Sequence, residues 1–168
     1  MTVTLEQSAS LESLGSEING FIQGLKRAVV VGMDTETTGL RVKEREDYIQ
    51  GFSLAYRLGG QVYSMYFPFR HTADNLPLTL AQEILDILTA KQVVFHNRKF
   101  DMHSLMTLGV KLDFLVTFDT MLLAHMINEN SPYEKSLENC CRKYINKGKV
   151  GKDAIDRFTE TFGWGSVP

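Results

Sequence analysis

Apolar residues recur at helical spacing through the first part of the chain, and short apolar runs of strand length follow. The spacing predicts an N-terminal helical segment over residues 1–27, although three glycines within it disfavour one continuous helix. The apolar run at residues 28–36 predicts a buried strand. Two further runs, at residues 48–58 and 61–69, are separated by two glycines and predict an antiparallel hairpin.

Helical and strand-like segments alternate in the rest of the sequence. Residues 78–90 carry leucine and isoleucine on one helical face, and Thr79 is a candidate N-cap. Three antiparallel strands followed by alternating helices and strands predict an α/β domain over residues 28–168, in which helices flank a mixed sheet. The other expected elements are strands at 92–96 and 112–120 and helices at 99–110, 121–127, 133–145 and 152–163.

Composition places the chain among globular proteins of one domain. Its 168 residues are 43% hydrophobic and 23% charged, which is enough for a core. The net charge of −2 means that a nucleic acid would have to be held by local basic patches or metal ions. The two cysteines, Cys140 and Cys141, are adjacent, and this excludes a disulfide framework within the chain. A chain without such a framework fits a reducing compartment. Since no signal-peptide pattern and no apolar stretch of ~18 residues is found, we expect a cytoplasmic location away from membranes.

Two acids stand where the first predicted strand ends. Asp34 and Glu36 are two residues apart, so on a strand their side chains point to the same face. Two carboxylates this close repel each other, and burial would raise their pKa values. A divalent cation relieves both costs, and sites made only of oxygen ligands suit magnesium or manganese. An acidic turn that simply closes the strand explains the same residues, and this segment alone does not decide between the two.

A third acid follows the short strand at residues 92–96. Asp101 comes four residues after Asn97 and directly after Phe100. If residues 98–109 form a helix, Asp101 lies in its first turn, where the helix dipole by itself favours an acid. Acids at the ends of neighbouring strands are also the usual way to build a centre in which two metal ions cleave a phosphodiester.

Two of these segments resemble the motifs of a known superfamily. The stretch "DTETTGL" resembles the first motif of the DEDD 3′–5′ exonucleases, and "HNRKFD" resembles the second. Residues 118–128 are similar to the segment that follows in the proofreading domain of family A DNA polymerases. Both motifs occur in order, with 67 positions between Asp34 and Asp101, and each has the strand or helix context that it requires.

The resemblance implies a ribonuclease-H-like fold and hydrolysis of single-stranded DNA from the 3′ end, with release of nucleoside 5′-monophosphates. It implies two divalent cations, Mg²⁺ or Mn²⁺, and a DNA polymerase domain or chain as partner in replication or repair. Asp34 would bridge the two metals, Glu36 would bind the metal that activates water, and Asp101 would serve the second metal. The resemblance assigns substrate contacts to Thr35, Thr37, Leu40, Asn97 and Phe100, and a structural role to Asp119 as a helix cap near Thr120.

The third motif of the superfamily, Tyr-x-x-x-Asp or His-x-x-x-x-Asp, is not found downstream. Asp153 and Asp156 have no tyrosine or histidine at the required distance. The metal that activates water would then keep only two protein ligands, so we expect the chain alone to be a poor nuclease. Three explanations stay open: an N-terminal piece of a longer protein, which we favour; a partner chain that supplies the motif; or a module that binds single-stranded nucleic acid or a polymerase. An exonuclease that acts on RNA is a further alternative.

Several remaining residues have ordinary structural explanations. Alternate side chains of residues 61–69 are expected to fill one core face rather than to stack on bases. Lysines between residues 147 and 152 either contact a phosphate backbone or form a solvated loop. No role is assigned to Trp164. The histidines, which lack a metal-ligand spacing and are expected to be surface or core residues, are His71, His96, His103 and His125.

Overall fold

The computed structural model describes residues 5–44, 46–113, 116–130 and 135–148, and it describes side chains from residue 14 onward. The expected helix at 152–163, Trp164, and the lysines and acids beyond residue 148 lie outside the described residues. The elements are α1 (Leu5–Arg27), β1 (Val30–Thr37), β2 (Ile49–Leu58), β3 (Gln61–Pro68), α2 (Leu78–Leu88), β4 (Gln92–Phe95), α3 (Arg98–Met106), β5 (Val116–Asp119), α4 (Thr120–Ile127) and α5 (Leu137–Ile145).

The strands form one five-stranded sheet in the order β3-β2-β1-β4-β5. β1 pairs with β2, and β2 with β3, in antiparallel register, while β4 and β5 add parallel strands on the other side of β1. The predicted mixed sheet is thereby confirmed. Gly59 and Gly60 join β2 to β3 with φ angles of +56° and +82°, a left-handed conformation that glycine adopts without strain.

One face of the sheet forms the core. Val31 and Met33 point into it from β1, while Asp34 and Glu36 on the same strand point to the other face. α1, α2 and α3 cover the core face with apolar side chains. The buried residues of each helix recur at helical spacing, so they form one apolar side that packs on the sheet. These are chiefly Ile18, Phe21 and Leu25 from α1, Ile84, Leu85 and Leu88 from α2, and Leu105 from α3.

Two local predictions need correction. α1 runs through Gly15, Gly20 and Gly24 without a break. A Cβ on Gly24 would collide with the ring of Tyr56, whose hydroxyl donates to the carbonyl of Phe21 at 2.9 Å, so this glycine permits close packing of α1 on the sheet. Thr79 is not the N-cap of α2, because the helix already begins at Leu78 after Pro77 and no side chain caps it.

Candidate active site

Asp34 and Glu36 lie near the end of the central strand, on the face away from α1 and α2. Asp34 is in register with Ser53 and Glu36 with Gly51, so small residues flank both carboxylates on the neighbouring strand. Both acids are exposed. Asp34 borders a groove of about 310 Å³ whose lining includes Gly32, Ala55, Ser64 and His96. The acid pair is therefore open to a large ligand.

Asp101 reaches the same end of β1 from helix α3. Its carboxylate is buried, and Oδ1 accepts hydrogen bonds from the Thr35 backbone N–H at 3.2 Å and the Thr35 hydroxyl at 2.8 Å. Asn97, with φ +73°, makes the sharp turn between β4 and α3 that directs the helix toward β1. Because Thr35 stands between Asp34 and Glu36, the hydrogen bonds hold the third acid beside the other two.

Burial dominates the electrostatics of this site. The pKa of Asp101 is raised to about 7, because burial, together with the smaller effect of the Asp34 charge, outweighs the hydrogen bonds from Thr35, which lower it. Asp101 resists ionisation, and the three acids offer only oxygen donors. Such a set of ligands fits a hard divalent cation. Within the described ranges, however, no group of three or more acidic, histidine or cysteine side chains lies close enough to hold a metal ion as it stands.

The substrate-contact residues assigned from the sequence lie around this end of β1. Thr37 ends the strand and donates from its hydroxyl to the Gly39 carbonyl at 2.7 Å. Leu40 follows in the loop and is 85% exposed, an unusual position for a leucine in a well-packed domain. Asn97 and Phe100 flank Asp101, the first exposed and the second half-buried.

Asp119 organises the backbone next to the site. Its carboxylate accepts from the N–H groups of Asn97 and Arg98 at 3.1 and 2.9 Å, and from Met121 and Leu122 at 2.9 and 3.4 Å. It occupies the N-cap position of α4, where the sequence analysis placed it, and it also holds the start of α3. Burial raises its pKa, but these four bonds outweigh burial and keep the pKa below its ordinary value.

Tyr66 and His71 were not predicted as part of the site. Tyr66 is in register with Ser53, so its side chain shares the face of the acids, and its hydroxyl lies 2.5 Å from Nε2 of His71. The Tyr66 hydroxyl also covers Gly51, the residue opposite Glu36. Burial, followed by the charge of Glu36, raises the pKa of Tyr66 to about 12, so the phenol keeps its proton at neutral pH. Strand alternation counted across the hairpin would have placed Tyr66 on the acid face.

His96 links the sheet to the last described segments. Nδ1 lies 2.9 Å from the Thr120 hydroxyl, and Nε2 lies 2.8 Å from the Lys135 carbonyl. The histidine thus connects the end of β4 with α4 and with the residues that precede α5. Its contacts account for it as a structural residue at the edge of the groove.

The central strand of the mixed sheet thus ends in an exposed carboxylate pair, and Asp101 is anchored on Thr35, which lies between the two in sequence. The model of the 3′–5′ exonuclease family of the DNA polymerase A type matches residues 13–157. The chain therefore belongs to this exonuclease family. No described helix is long and apolar enough to cross a membrane.

Two phage proteins show the same relationship in sequence. The DNA polymerase DpoZ of Salmonella phage PMBT28 is 32% identical over 134 residues, which is 79% of this chain and 20% of that protein. DpoZ of Vibrio phage phiVC8 is 31% identical over 154 residues, which is 86% of this chain and 23% of that protein. The chain spans about a fifth to a quarter of the length of these polymerases.

Solved structures share the fold at low sequence identity. Brucella melitensis NrnC with bound Mg²⁺ has a TM-score of 0.56 at 16% identity, over 82% of this chain and 59% of that one. The POL domain of Pol1 from M. smegmatis, in complex with a DNA primer-template and dNTP, has a TM-score of 0.59 at 15% identity, over 81% of this chain and 22% of that one. These likenesses establish the ribonuclease-H-like fold.

Proposed function

We propose that this chain is the proofreading 3′–5′ exonuclease domain of a DNA polymerase and shortens single-stranded DNA from its 3′ end. The observation that carries the proposal is the arrangement of Asp34 and Glu36 on the open face of β1, with Asp101 anchored on Thr35 between them. Family membership and the phage polymerase relatives support this assignment.

Two divalent cations, Mg²⁺ or Mn²⁺, would be held by Asp34, Glu36 and Asp101. The donors are all carboxylate oxygens, and the charge of Asp34 contributes to the raised pKa of Asp101, which supports a local negative potential that a cation would relieve. When bound, such cations lower the pKa of a water molecule and neutralise charge on the scissile phosphate. The Mg²⁺ in the Brucella NrnC structure supports a metal requirement in a protein of the same fold.

The side chains around the acids would place the 3′ end for hydrolysis. Leu40, which is largely exposed, would pack against the terminal base, and the backbone of residues 35–37 and the Asn97 side chain would contact the terminal nucleotide. Water adds to the terminal phosphorus as the bond to the preceding 3′ oxygen breaks. The products are a nucleoside 5′-monophosphate and a strand with a new 3′ hydroxyl, which takes the proton of the water.

A fourth acid would come from outside the motifs found in this sequence. We propose that a longer polypeptide or a partner chain supplies it, since the chain spans only part of its polymerase relatives. The second candidate function is a module that binds single-stranded nucleic acid without cleaving it. It is favoured by the absence of a compact metal-binding group among the described residues.

The test is degradation of a 5′-labelled DNA oligonucleotide with Mg²⁺ or Mn²⁺, by this chain and by a version extended at its C-terminus. We expect a ladder of shortened strands from the extended version and much less shortening by this chain alone. Asp34→Ala should abolish the ladder, and Glu17→Ala, which removes an exposed acid from α1, should leave it unchanged. Strand binding without degradation by both versions would refute the enzyme and support the binding module, while faster degradation of an RNA strand would assign RNA as the substrate.

A further inference from the structure

A second cavity, of about 490 Å³, lies beyond the end of β1. We call it the basic pocket and define it by Lys43, Tyr48, Arg70 and His103. Lys43 and Tyr48 come from the loop between β1 and β2, Arg70 from the residues that follow β3, and His103 from α3. It is therefore built from three segments that are distant in sequence.

The charge of the basic pocket is positive. Lys43 and Arg70 have no ion pair with any residue in the described part of the chain. Asp47 also lines the pocket and brings one negative charge to it; its carboxylate accepts from the Arg41 backbone N–H at 2.8 Å and faces the Arg41 guanidinium at 3.9 Å. In a chain of net charge −2, two uncompensated cations in one cavity indicate an anionic ligand.

The walls of the basic pocket add apolar surface to this charge. Tyr48 is 44% exposed and Met106 is 59% exposed, while Val42 is buried at the base. An exposed aromatic ring beside cations is the combination that holds single-stranded nucleic acid, since the ring stacks on a base and the cations contact the backbone. A small inorganic anion would contact only the cations and would make no use of the Tyr48 ring.

The basic pocket continues the two elements that carry the acids. The Thr38 backbone N–H, two residues after Glu36, donates to the Tyr48 carbonyl at 3.0 Å. His103 is two residues after Asp101 on α3. The two elements that carry the acids, β1 and α3, therefore also lead to the pocket.

We propose that the basic pocket binds a backbone phosphate and one base of a single-stranded nucleic acid whose 3′ end lies at Asp34 and Glu36. Lys43 and Arg70 contact the phosphate, and Tyr48 stacks on the base. The position of the 3′ end rests on the proposed function. Binding of the strand by the basic pocket does not rest on the proposed function, because such binding requires neither metal nor cleavage.

The test is binding of a 5′-fluorescein oligothymidylate by fluorescence anisotropy in EDTA, at several salt concentrations. The Lys43→Ala/Arg70→Ala protein should bind roughly tenfold more weakly at 0.1 M salt, and the slope of log affinity against log salt should fall by about 0.7–1.4. Tyr48→Ala should weaken binding by at least about fivefold without changing that slope.

The matched control is Arg57→Ala/Lys91→Ala, which removes the same charge at the opposite end of the sheet, next to the paired residues Val31 and Tyr56 and the start of β4. It should bind like the parent protein. Unchanged binding by the Lys43/Arg70 variant, or equal losses in both double variants, would overturn the proposal. Complete competition by free phosphate at equal concentration would also overturn it, since a simple anion site would then explain the pocket. Loss of cleavage with retained pocket binding would refute the nuclease alone.

Discussion

The substitution Asp101→Asn tests the electrostatics of the acid site directly. Asn keeps an oxygen that can accept both hydrogen bonds from Thr35, removes the ability to ionise, and puts an amide NH₂ in the place of Oδ2. The change therefore separates the cost of the buried charge from the packing of α3 on β1.

The direction and size of the change in unfolding free energy follow from the raised pKa of Asp101. The unfolded chain ionises Asp101 near its ordinary value of 3.8, whereas the folded protein does so near 7. Protonated Asp101 makes its full contribution to the unfolding free energy below pH ~4. This contribution is lost as pH rises toward ~7, because the buried carboxyl group must then ionise. The difference between the two values corresponds to about 4 kcal/mol of unfolding free energy. Asp101→Asn should therefore be more stable than the parent by up to about 4 kcal/mol at pH 8, and nearly equal to it at pH 4.

Urea unfolding followed by circular dichroism in EDTA measures this difference at pH 4, 6 and 8. The gain at pH 8 corresponds to roughly 8–16 °C in melting temperature for a protein of this size. Asp113→Asn, an exposed acid paired with Lys111, is the control and should change the unfolding free energy little at each pH measured. An equal gain at pH 4 and pH 8, or a loss at pH 8, would show that burial of the Asp101 charge is not the cause. Mg²⁺ at pH 8 should stabilise the parent more than Asp101→Asn, because the ionised acid is the form that binds the cation.

Two further changes test the supports of the site by the same urea measurement. Asp119→Ala should lower the unfolding free energy by about 2–4 kcal/mol at pH 7, because four backbone N–H groups lose their acceptor, and the loss should shrink as pH falls below ~4 and through the lowered pKa of the folded parent carboxylate; a loss that is independent of pH would contradict this. Gly51→Ala should cost at least about 1–3 kcal/mol, because its Cβ would lie 2.5 Å from the Phe67 carbonyl oxygen and against the Tyr66 hydroxyl. Gly15→Ala, which meets open space, should be neutral or stabilising, and equal behaviour of the two alanine variants would refute the steric argument.

Local patterns in the sequence determined much of the fold. Period-two alternation predicted that Asp34 and Glu36 share one face of β1. Of the alternate β3 residues expected in the core, Phe67 and Met65 pack there, whereas Tyr63 is 40% exposed and stacks on Tyr56. The paired glycines predicted the hairpin. The predicted N-cap of α2 was wrong because the helix begins at Leu78, one residue before the threonine chosen as its cap, with Pro77 at the N-cap position.

Sequence similarity also identified the acids, because both motifs are short and contiguous. It did not predict which polar groups surround them. Tyr66 meets Glu36 only because β3 lies two strands away from β1 with a particular register, and His71 reaches Tyr66 from the loop that follows β3. No local pattern contains that information.

The sequence by itself therefore predicted most of the described elements, the faces of the strands and, through the resemblance, the candidate residues for the chemistry. The tertiary structure decided what each of those residues meets. The hydrogen bonds between Thr35 and Asp101 join residues 66 positions apart, and the basic pocket combines a loop, a strand end and a helix. Such contacts depend on the order of the strands and the packing of the helices, and both of these are properties of the whole fold. The periodicity of a sequence reflects only residues that are close together along the chain.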